Sequence, residues 1–192
     1  MNTIQNPLKG TKTMILVKAY ELFDRKGYHS TSIRDIATET GLTKAALYYH
    51  FESKKYLMVG ILEMVLERLQ TKLFSIAFDS SKGEPAERLQ KFFAWQEESY
   101  KTGPRSCFIG TMSLEVAAHD KEFAAILDTI FNEWEDALTH LYAHFHDAEK
   151  ASMHAQQTIM EFEGAVMLGL VRKNKSGAIK KAIAHAMDRI TN

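Results

Sequence analysis

The sequence is short of the residues that build disulfide scaffolds, linkers and membrane spans. One cysteine, Cys107, among 192 residues excludes an intramolecular disulfide framework and a zinc site made of cysteines. Three prolines and ten glycines are too few for linkers, and no uncharged apolar run approaches the roughly 18 residues that a membrane span needs. The first ten residues lack the apolar core of a signal peptide. With 45% apolar and 25% charged residues, the chain has the composition of a globular protein that can bury a sizeable core.

The net charge of the whole chain is zero, but the first third and the rest of the chain have opposite net charges. Residues 1–60 contain nine Lys/Arg and five Asp/Glu, a net charge of +4, and the remaining residues carry −4. A basic first third on an acidic body is typical of a protein whose first third contacts a polyanion, provided that a binding motif lies there.

The apolar residues recur with a helical period, and no segment alternates with the two-residue period of a strand. Ile15, Ala19, Leu22 and Phe23 define a first helix that ends at Lys26–Gly27. The pattern predicts further helices over about 54–78, 85–101, 105–118, 120–146, 152–172 and 177–190. The predicted fold class is therefore all-α.

A specific motif lies inside the basic third. Ser32 and Asp35 have the spacing of a capping box that opens a short helix. Gly41 supplies the backbone conformation that ends this helix, and Thr43 is placed to cap a second one that runs to about His50. A helix, a tight glycine turn and a short second helix together predict a helix-turn-helix.

The second helix of the motif leaves most of its surface free for a partner. Leu47 and Phe51 are four residues apart and can face the core, whereas small alanines would let the other face approach base edges. Around them lie donors suited to phosphate oxygens, which are Lys44, Tyr48, His50 and Lys54. The alternative is an ordinary pair of packed helices in which the tyrosines are half-buried.

Residues 11–58 resemble the N-terminal DNA-binding domain of the TetR family of bacterial transcriptional regulators. The stretches that carry this resemblance are Ala19–Phe23, Gly27–Tyr28, Thr31–Ala37, Gly41–Lys44, Leu47–Phe51 and Ser53–Leu57. The resemblance implies a helix-turn-helix DNA-binding domain at 1–53 and a helical effector-binding and dimerisation domain at 54–192. It further implies a cytoplasmic homodimer that binds a palindromic operator in double-stranded DNA and is released by a small-molecule effector.

The resemblance also assigns the DNA contacts residue by residue, to Ser32, Arg34, Thr43, Lys44, Ala45, Ala46, Tyr48, Tyr49, His50 and Lys54. Ala45 and Ala46 depart from the Gly-Thr or Pro-Thr of many members, which bears on the operator sequence. In this family the last two helices form the dimer face, and the apolar stripes there are Ile159, Val166, Leu170, Ile179, Ile183 and Met187. The alternative is that both stripes pack inside one chain.

Aromatic residues and methionines concentrate in the middle of the chain and suggest a pocket for an apolar or aromatic effector. The candidates are Phe92, Trp95, Phe108, Met112, Phe123, Phe131, Trp134 and Phe162. The same residues would serve equally well as a plain hydrophobic core.

Two other sensing or binding chemistries remain open from the sequence. Cys107 begins a helix and follows Arg105, which would favour the thiolate that a sensor of oxidants or electrophiles needs. His140, His144 and His146 form a small cluster, but a metal site would need a further ligand such as Glu115, Asp136 or His119. A different class of protein is a helical ligand-binding or metal-binding protein that does not bind DNA.

No enzyme signature is present. The sequence lacks the Gly-x-Ser-x-Gly, Walker and His-Glu-x-x-His motifs. We therefore expect neither catalysis nor a cofactor.

Overall fold

The computed structural model describes residues 10–102 and 107–191, and within these residues every regular element is helical. This confirms the predicted all-α class. Ten α-helices are present over the described part of the chain: α1 Thr11–Lys26, α2 Ile33–Thr40, α3 Lys44–His50, α4 Lys54–Leu69, α5 Ser75–Phe78, α6 Pro85–Thr102, α7 Phe108–Met112, α8 Lys121–Tyr142, α9 Ala148–Val171 and α10 Lys175–Asp188. π-helical turns at Gln70–Phe74 and Ser113–Ala117 follow α4 and α7.

The chain divides into two compact units that are not contiguous in sequence. The first is Met1–Leu66 with Phe108–Leu127, and the second is Glu67–Cys107 with Asp128–Asn192. The chain passes from one unit to the other within α4, between Cys107 and Phe108, and within α8. The expected functional division between residues 53 and 54 remains a prediction.

The core of the first unit forms around the apolar stripe of α1. Ile15, Ala19, Leu22 and Phe23 are all buried, as the periodicity predicts. Around this stripe lie the buried side chains of the other helices before the first boundary, which are Ile36, Ala37, Leu47, Phe51, Leu57, Met58, Ile61 and Leu62. The later segment contributes further apolar residues to the same unit, namely Phe108, Ile109, Met112, Val116, Phe123 and Leu127.

Two hydrogen bonds to Glu115 join the later segment to the residues that follow α1. The backbone N–H of Tyr28 donates a hydrogen bond to Glu115 Oε2 at 2.7 Å, and His29 Nε2 donates to the Glu115 carbonyl oxygen at 3.1 Å. Gly27 has φ +85°, and a Cβ built there would lie 2.6 Å from Glu115 Oε1. Glycine is therefore required at position 27 both by the backbone conformation and by the carboxylate beside it.

In the second unit α9 packs along α10, α6 contacts α10, and α5 packs on α6. The later part of α8 contacts α9 through the rings of Trp134 and Tyr142. The helix expected over 120–146 ends earlier, at Tyr142, and the next helix starts earlier, at Ala148. The reason is Asp147, whose side chain caps α9 by accepting a hydrogen bond from the Lys150 N–H at 2.9 Å.

We predict that Gly27→Ala destabilises the protein by roughly 1–3 kcal/mol, because alanine is strained at this backbone conformation. In a Glu115→Ala background the same change should cost less, because the carboxylate that crowds the new methyl group is gone. Urea unfolding of the wild type, both single variants and the double variant gives the coupling between the two positions. Strictly additive losses would contradict the close packing of residue 27 against Glu115.

Candidate nucleic-acid interface

The predicted helix-turn-helix is present between residues 32 and 51. Ser32 and Asp35 form a reciprocal capping box: the Asp35 N–H donates to Ser32 Oγ at 3.1 Å, and the Ser32 N–H donates to Asp35 Oδ2 at 2.8 Å. Gly41 ends α2 in the left-handed conformation with φ 69°, and the Leu42 N–H closes the turn on the Ala37 carbonyl at 3.0 Å. These contacts set α3 at a fixed position after α2.

Helix α3 is anchored by its apolar side and leaves the other side uncovered. Leu47 and Phe51 are buried, as predicted, and Thr43 Oγ1 caps the helix by accepting from the Ala46 N–H at 3.1 Å. Tyr49 is 87% exposed, and the only ring within contact among the described residues is that of its neighbour His50, at 5.2 Å. The Tyr49 ring therefore adds little to the core and is available to a partner.

The cationic side chains on and beside α3 differ in burial and in their contacts. Lys54 is half-buried with its Nζ 4.2 Å from the centre of the Tyr28 ring; burial lowers its pKa, and the charge of Glu115 opposes that shift. Arg34 and Lys44 are exposed and make no ion pair within the described residues. Two lysines and an arginine are thus available to phosphate oxygens on one surface.

The ten predicted DNA contacts lie on α2 and α3, at the N-cap residues of these helices, Ser32 and Thr43, and at Lys54, the first residue of α4. Seven of them are exposed, including Ser32, and the other three, Ala46, His50 and Lys54, are half-buried. The Ser32 hydroxyl donates to Asp35 Oδ2 at 2.5 Å and is therefore committed within the chain. The Thr43 hydroxyl accepts from the backbone, which leaves its proton free to donate to an external oxygen.

The capping box predicts a measurable titration. The hydrogen bond from the Ser32 hydroxyl, followed by that from the Ser32 backbone, lowers the pKa of Asp35 to about 2. Because the folded pKa lies below the unfolded value of about 3.9, this carboxylate stabilises the fold above pH ~4, and the contribution is lost as the pH falls through about 2.

We predict that Ser32→Ala raises the pKa of Asp35 toward its ordinary value, as followed by NMR titration of the side-chain carboxyl carbon. Asp79 provides the internal control, because its pKa is lowered by Ser81 in the other unit and should not change. An Asp35 midpoint that is the same in the variant and the wild type would refute the capping assignment.

The candidate effector residues do not form one group. Phe108, Met112 and Phe123 belong to the first unit, where the ring centre of Phe108 lies 4.5 Å from that of Tyr20 and the ring of Phe123 contacts Tyr28. The other five belong to the second unit, which are Phe92, Trp95, Phe131, Trp134 and Phe162. All three residues of the first unit are buried, and their role in an effector pocket stays a prediction.

Within the second unit four aromatic residues form a connected group, which are Tyr100, Phe131, Trp134 and Phe162. Trp134 is stacked beside Phe131, and its ring lies 6.3 Å from that of Phe162, which is itself 5.3 Å from Tyr100. Trp95 is half-buried with the Arg68 guanidinium 5.6 Å from its ring centre. The sequence analysis missed Tyr100, whose only available signal was its position on the same helix as Phe92.

Cys107 is buried, and its thiol hydrogen-bonds to the carboxyl group of Glu163. Donation to a carboxylate holds the proton on sulfur, whereas a thiol sensor acts as the thiolate. Arg105, the residue expected to favour the thiolate, lies outside the described residues.

The three histidines of the suggested metal cluster point to different partners. His140 and His144 are in ring contact at 5.4 Å, but His146 Nε2 donates to the Arg189 carbonyl oxygen at 2.5 Å. Over residues 10–102 and 107–191, no three His, Cys, Asp or Glu side chains are grouped so that they could hold a metal ion.

None of the helices in these same ranges is long and apolar enough to cross a membrane.

The predicted dimer residues divide between the interior and the surface of the second unit. Val166 and Ile179 are each 2% exposed and pack inside the chain, and Ile159, Ile183 and Met187 are half-buried. Leu170 is exposed and belongs to a longer apolar face of α9 that the sequence analysis did not single out. This α9 face consists of Met153, Met160, Met167, Leu168, Leu170 and Val171.

Comparison with known sequences identifies the family. The profile described as "Bacterial regulatory proteins, tetR family" matches residues 15–61, and the profile described as "Transcriptional regulator LmrA/YxaF-like, C-terminal domain" matches residues 85–185. The second match alone covers more than half of the chain. The protein belongs to the TetR family, which is made of DNA-binding transcriptional regulators and not of enzymes.

Individual relatives agree with this assignment. One relative is named as an uncharacterized HTH-type transcriptional regulator in the lacX 3′ region of Lactococcus lactis subsp. lactis. It is 30% identical to this chain over 66% of this chain and 65% of its own length. Less than two thirds of that relative is therefore matched. IcaR from Staphylococcus aureus (strain Newman), named as a negative transcriptional regulator of the biofilm operon icaADBC, is 26% identical over 93% of this chain and 94% of its own. The crystal structure of a TetR regulator from Legionella pneumophila has the same fold, with a TM-score of 0.83 and 24% identity over 96% of this chain and 98% of that chain.

Proposed function

We propose that this regulator is a one-component repressor, acting in the bacterial cytoplasm, that binds a palindromic operator as a homodimer and is released by a small-molecule effector. The observation that carries the proposal is the uncovered face of α3, where Tyr49 is 87% exposed beside cations that the chain leaves unpaired. Packing within a helical bundle does not require this exposed surface, whereas the major groove of DNA accepts a helix of this kind.

The residues of this face divide into positioning and reading roles. Lys54, held against the Tyr28 ring, contacts a phosphate whatever the sequence, as does Arg34. Ala45 and Ala46 bring their methyl groups to thymine methyls, and the tyrosines lie beside them on the same helix. The operator is thus read by few hydrogen bonds and by apolar contact.

Dimerisation would use the α9 face. Met153, Met160 and Met167 recur every seven residues, which places them on one side of the helix. A Cβ at Gly164, which lies between them, would meet no atom within 4 Å, so a second helix can approach closely there. Two copies related by two-fold symmetry bury this face and set two α3 helices against successive major grooves.

Release follows if the effector favours a conformation of the second unit in which the two α3 helices no longer match the operator. Cys107 ends one part of the second unit, and the next residue, Phe108, begins the segment whose Glu115 contacts Tyr28 in the first unit. A differential affinity of a few kcal/mol between two conformers changes operator occupancy strongly.

For DNA binding, selection from random sequences should return a palindrome, and the affinity should fall steeply with added salt because phosphate contacts release counterions. Lys54→Ala should weaken binding to all sequences about equally and reduce the salt slope by about one, whereas Lys44→Ala should also relax the base preference. Lys72→Ala, an exposed lysine of the second unit, is the control and should bind like the wild type. Recovery of non-palindromic or salt-insensitive sites would overturn the proposal.

For assembly, Met160→Glu should convert the dimer into a monomer that unfolds at the same temperature as a dilute wild-type sample but binds the operator weakly. The charge would be buried without a partner in the dimer and exposed in the monomer. Met160→Leu retains the apolar surface and should sediment as a dimer. A Met160→Glu protein that still sediments as a dimer at micromolar concentration would exclude the α9 face.

A further inference from the structure

Lys54 is held differently from the other cations expected to contact DNA. Its Nζ lies 4.2 Å from the centre of the Tyr28 ring, and the residue is half-buried. Arg34 and Lys44, in contrast, are exposed and make no ion pair within the described part of the chain. A free lysine side chain loses its rotamer freedom when it binds, whereas a side chain that is already held loses little. The contact with Tyr28 therefore prepares Lys54 for a partner.

The Tyr28 ring is itself fixed by residues of two helices. Its centre lies 5.4 Å from that of Phe23 on α1 and 5.6 Å from that of Phe123 on α8, both in edge-to-face contact. Phe23 and Phe123 are buried. The Tyr28 N–H donates to Glu115 Oε2 at 2.7 Å, which fixes the backbone of the same residue. A ring held in this way offers the Lys54 ammonium group a π face at a fixed position.

Glu115 also supports the positive charge of Lys54. Burial lowers the pKa of Lys54, and the negative charge of Glu115 raises it. Two other acids of the same unit pair with the neighbouring lysine, since Asp120 Oδ2 lies 2.8 Å and Glu122 Oε2 lies 3.1 Å from Lys55 Nζ. The two lysines at the start of α4 thus have different carboxylates, and the half-buried lysine depends on Glu115.

We propose that Tyr28 and Glu115 are positioning residues for operator binding, and that they act on a DNA phosphate through the Lys54 ammonium group. This inference rests on the proposed function, since it requires that Lys54 contacts a phosphate. Tyr28 holds the ammonium group at the start of α4, and Glu115 holds the Tyr28 backbone and supports the charge. A half-buried ammonium group also attracts a phosphate more strongly than a fully hydrated one, because its charge is screened less. Two residues outside the recognition helix therefore set the strength of one phosphate contact.

The first test is a double-mutant cycle on operator affinity. Tyr28→Leu removes the ring but keeps the backbone N–H, and it should weaken binding about three- to fivefold in the otherwise wild-type protein. In the Lys54→Ala background the same change should alter the affinity by less than about 1.5-fold, because the side chain that the ring positions is gone. Tyr28→Phe restores a ring and should recover most of the lost affinity. All affinities are compared at a temperature at which circular dichroism shows every variant folded.

The second test follows the pKa of Lys54 by NMR titration of the lysine side-chain amines. Glu115→Gln keeps an oxygen that can accept from the Tyr28 N–H but removes the charge, so the effect of burial is unopposed and the pKa of Lys54 should fall. Lys55 is the internal control, because Asp120 and Glu122 raise its pKa and remain in place.

The direction of this shift distinguishes positioning from a merely structural role. If Glu115→Gln only loosened the fold, Lys54 would become exposed and its pKa would rise toward the ordinary value. Glu63→Gln removes the same charge from an exposed position on α4 and should leave the pKa of Lys54 unchanged.

A third measurement needs no variant. The ε-methylene protons of Lys54 should resonate upfield of those of Lys44, because the Tyr28 ring lies beside them and no ring is in cation–π contact with Lys44 among the described residues. Equal chemical shifts for the two lysines would contradict the contact on which the inference depends.

The outcomes separate this inference from the proposed function. If Lys54→Ala binds the operator like the wild type at every salt concentration, the phosphate contact itself is wrong, and the inference fails with it. If Lys54→Ala binds more weakly but Tyr28→Leu costs the same in both backgrounds, the phosphate contact stands and the positioning role of Tyr28 is overturned. An unchanged or raised pKa of Lys54 in Glu115→Gln overturns the role of Glu115.

Discussion

The hydrogen bond between the Tyr28 amide and the Glu115 carboxylate is the contact on which the DNA-binding unit depends. It joins residues 87 positions apart and fixes the later segment against the end of α1. Only glycine at position 27 leaves room for it, since the backbone there is left-handed and a Cβ would collide with the carboxylate. The helix-turn-helix therefore shares its compact unit with a later segment of the chain, Phe108–Leu127. Its fold is completed by a segment that follows directly on the second unit.

This arrangement explains why the unit can present a helix that is held on only one side. Leu47 and Phe51 attach α3 to a core that α1 and the later segment complete, so the outer face needs no packing of its own. The capping box at Ser32 and the left-handed Gly41 fix the position of α3 from the other end. A face as exposed as that of Tyr49 is tolerable because the contacts beneath it are complete.

The local features of the structure could be predicted from the sequence, and the distant pairings could not. The capping box, the glycine turn, the Thr43 cap and the buried stripe of α1 all depend on residues within four positions of each other, where helix geometry fixes the contact. Periodicity reports which side of a helix is apolar but not what covers that side. For this reason the pattern leaves open whether Phe108 and Phe123 line a pocket or pack in a core, and whether Val166 belongs to a dimer face, whereas the structure shows all three buried within the chain.

The second unit has two regions with unsatisfied groups: an apolar face on its surface and polar atoms in its interior. The α9 face is apolar surface exposed to water, which association with a second copy removes. The interior of the second unit holds polar atoms that are withdrawn from water and have no hydrogen-bond partner among the described residues. Glu163 hydrogen-bonds to Cys107, and the next residue begins the segment that carries Glu115. The covalent chain therefore leads from this contact of the second unit directly into the segment that packs in the first unit.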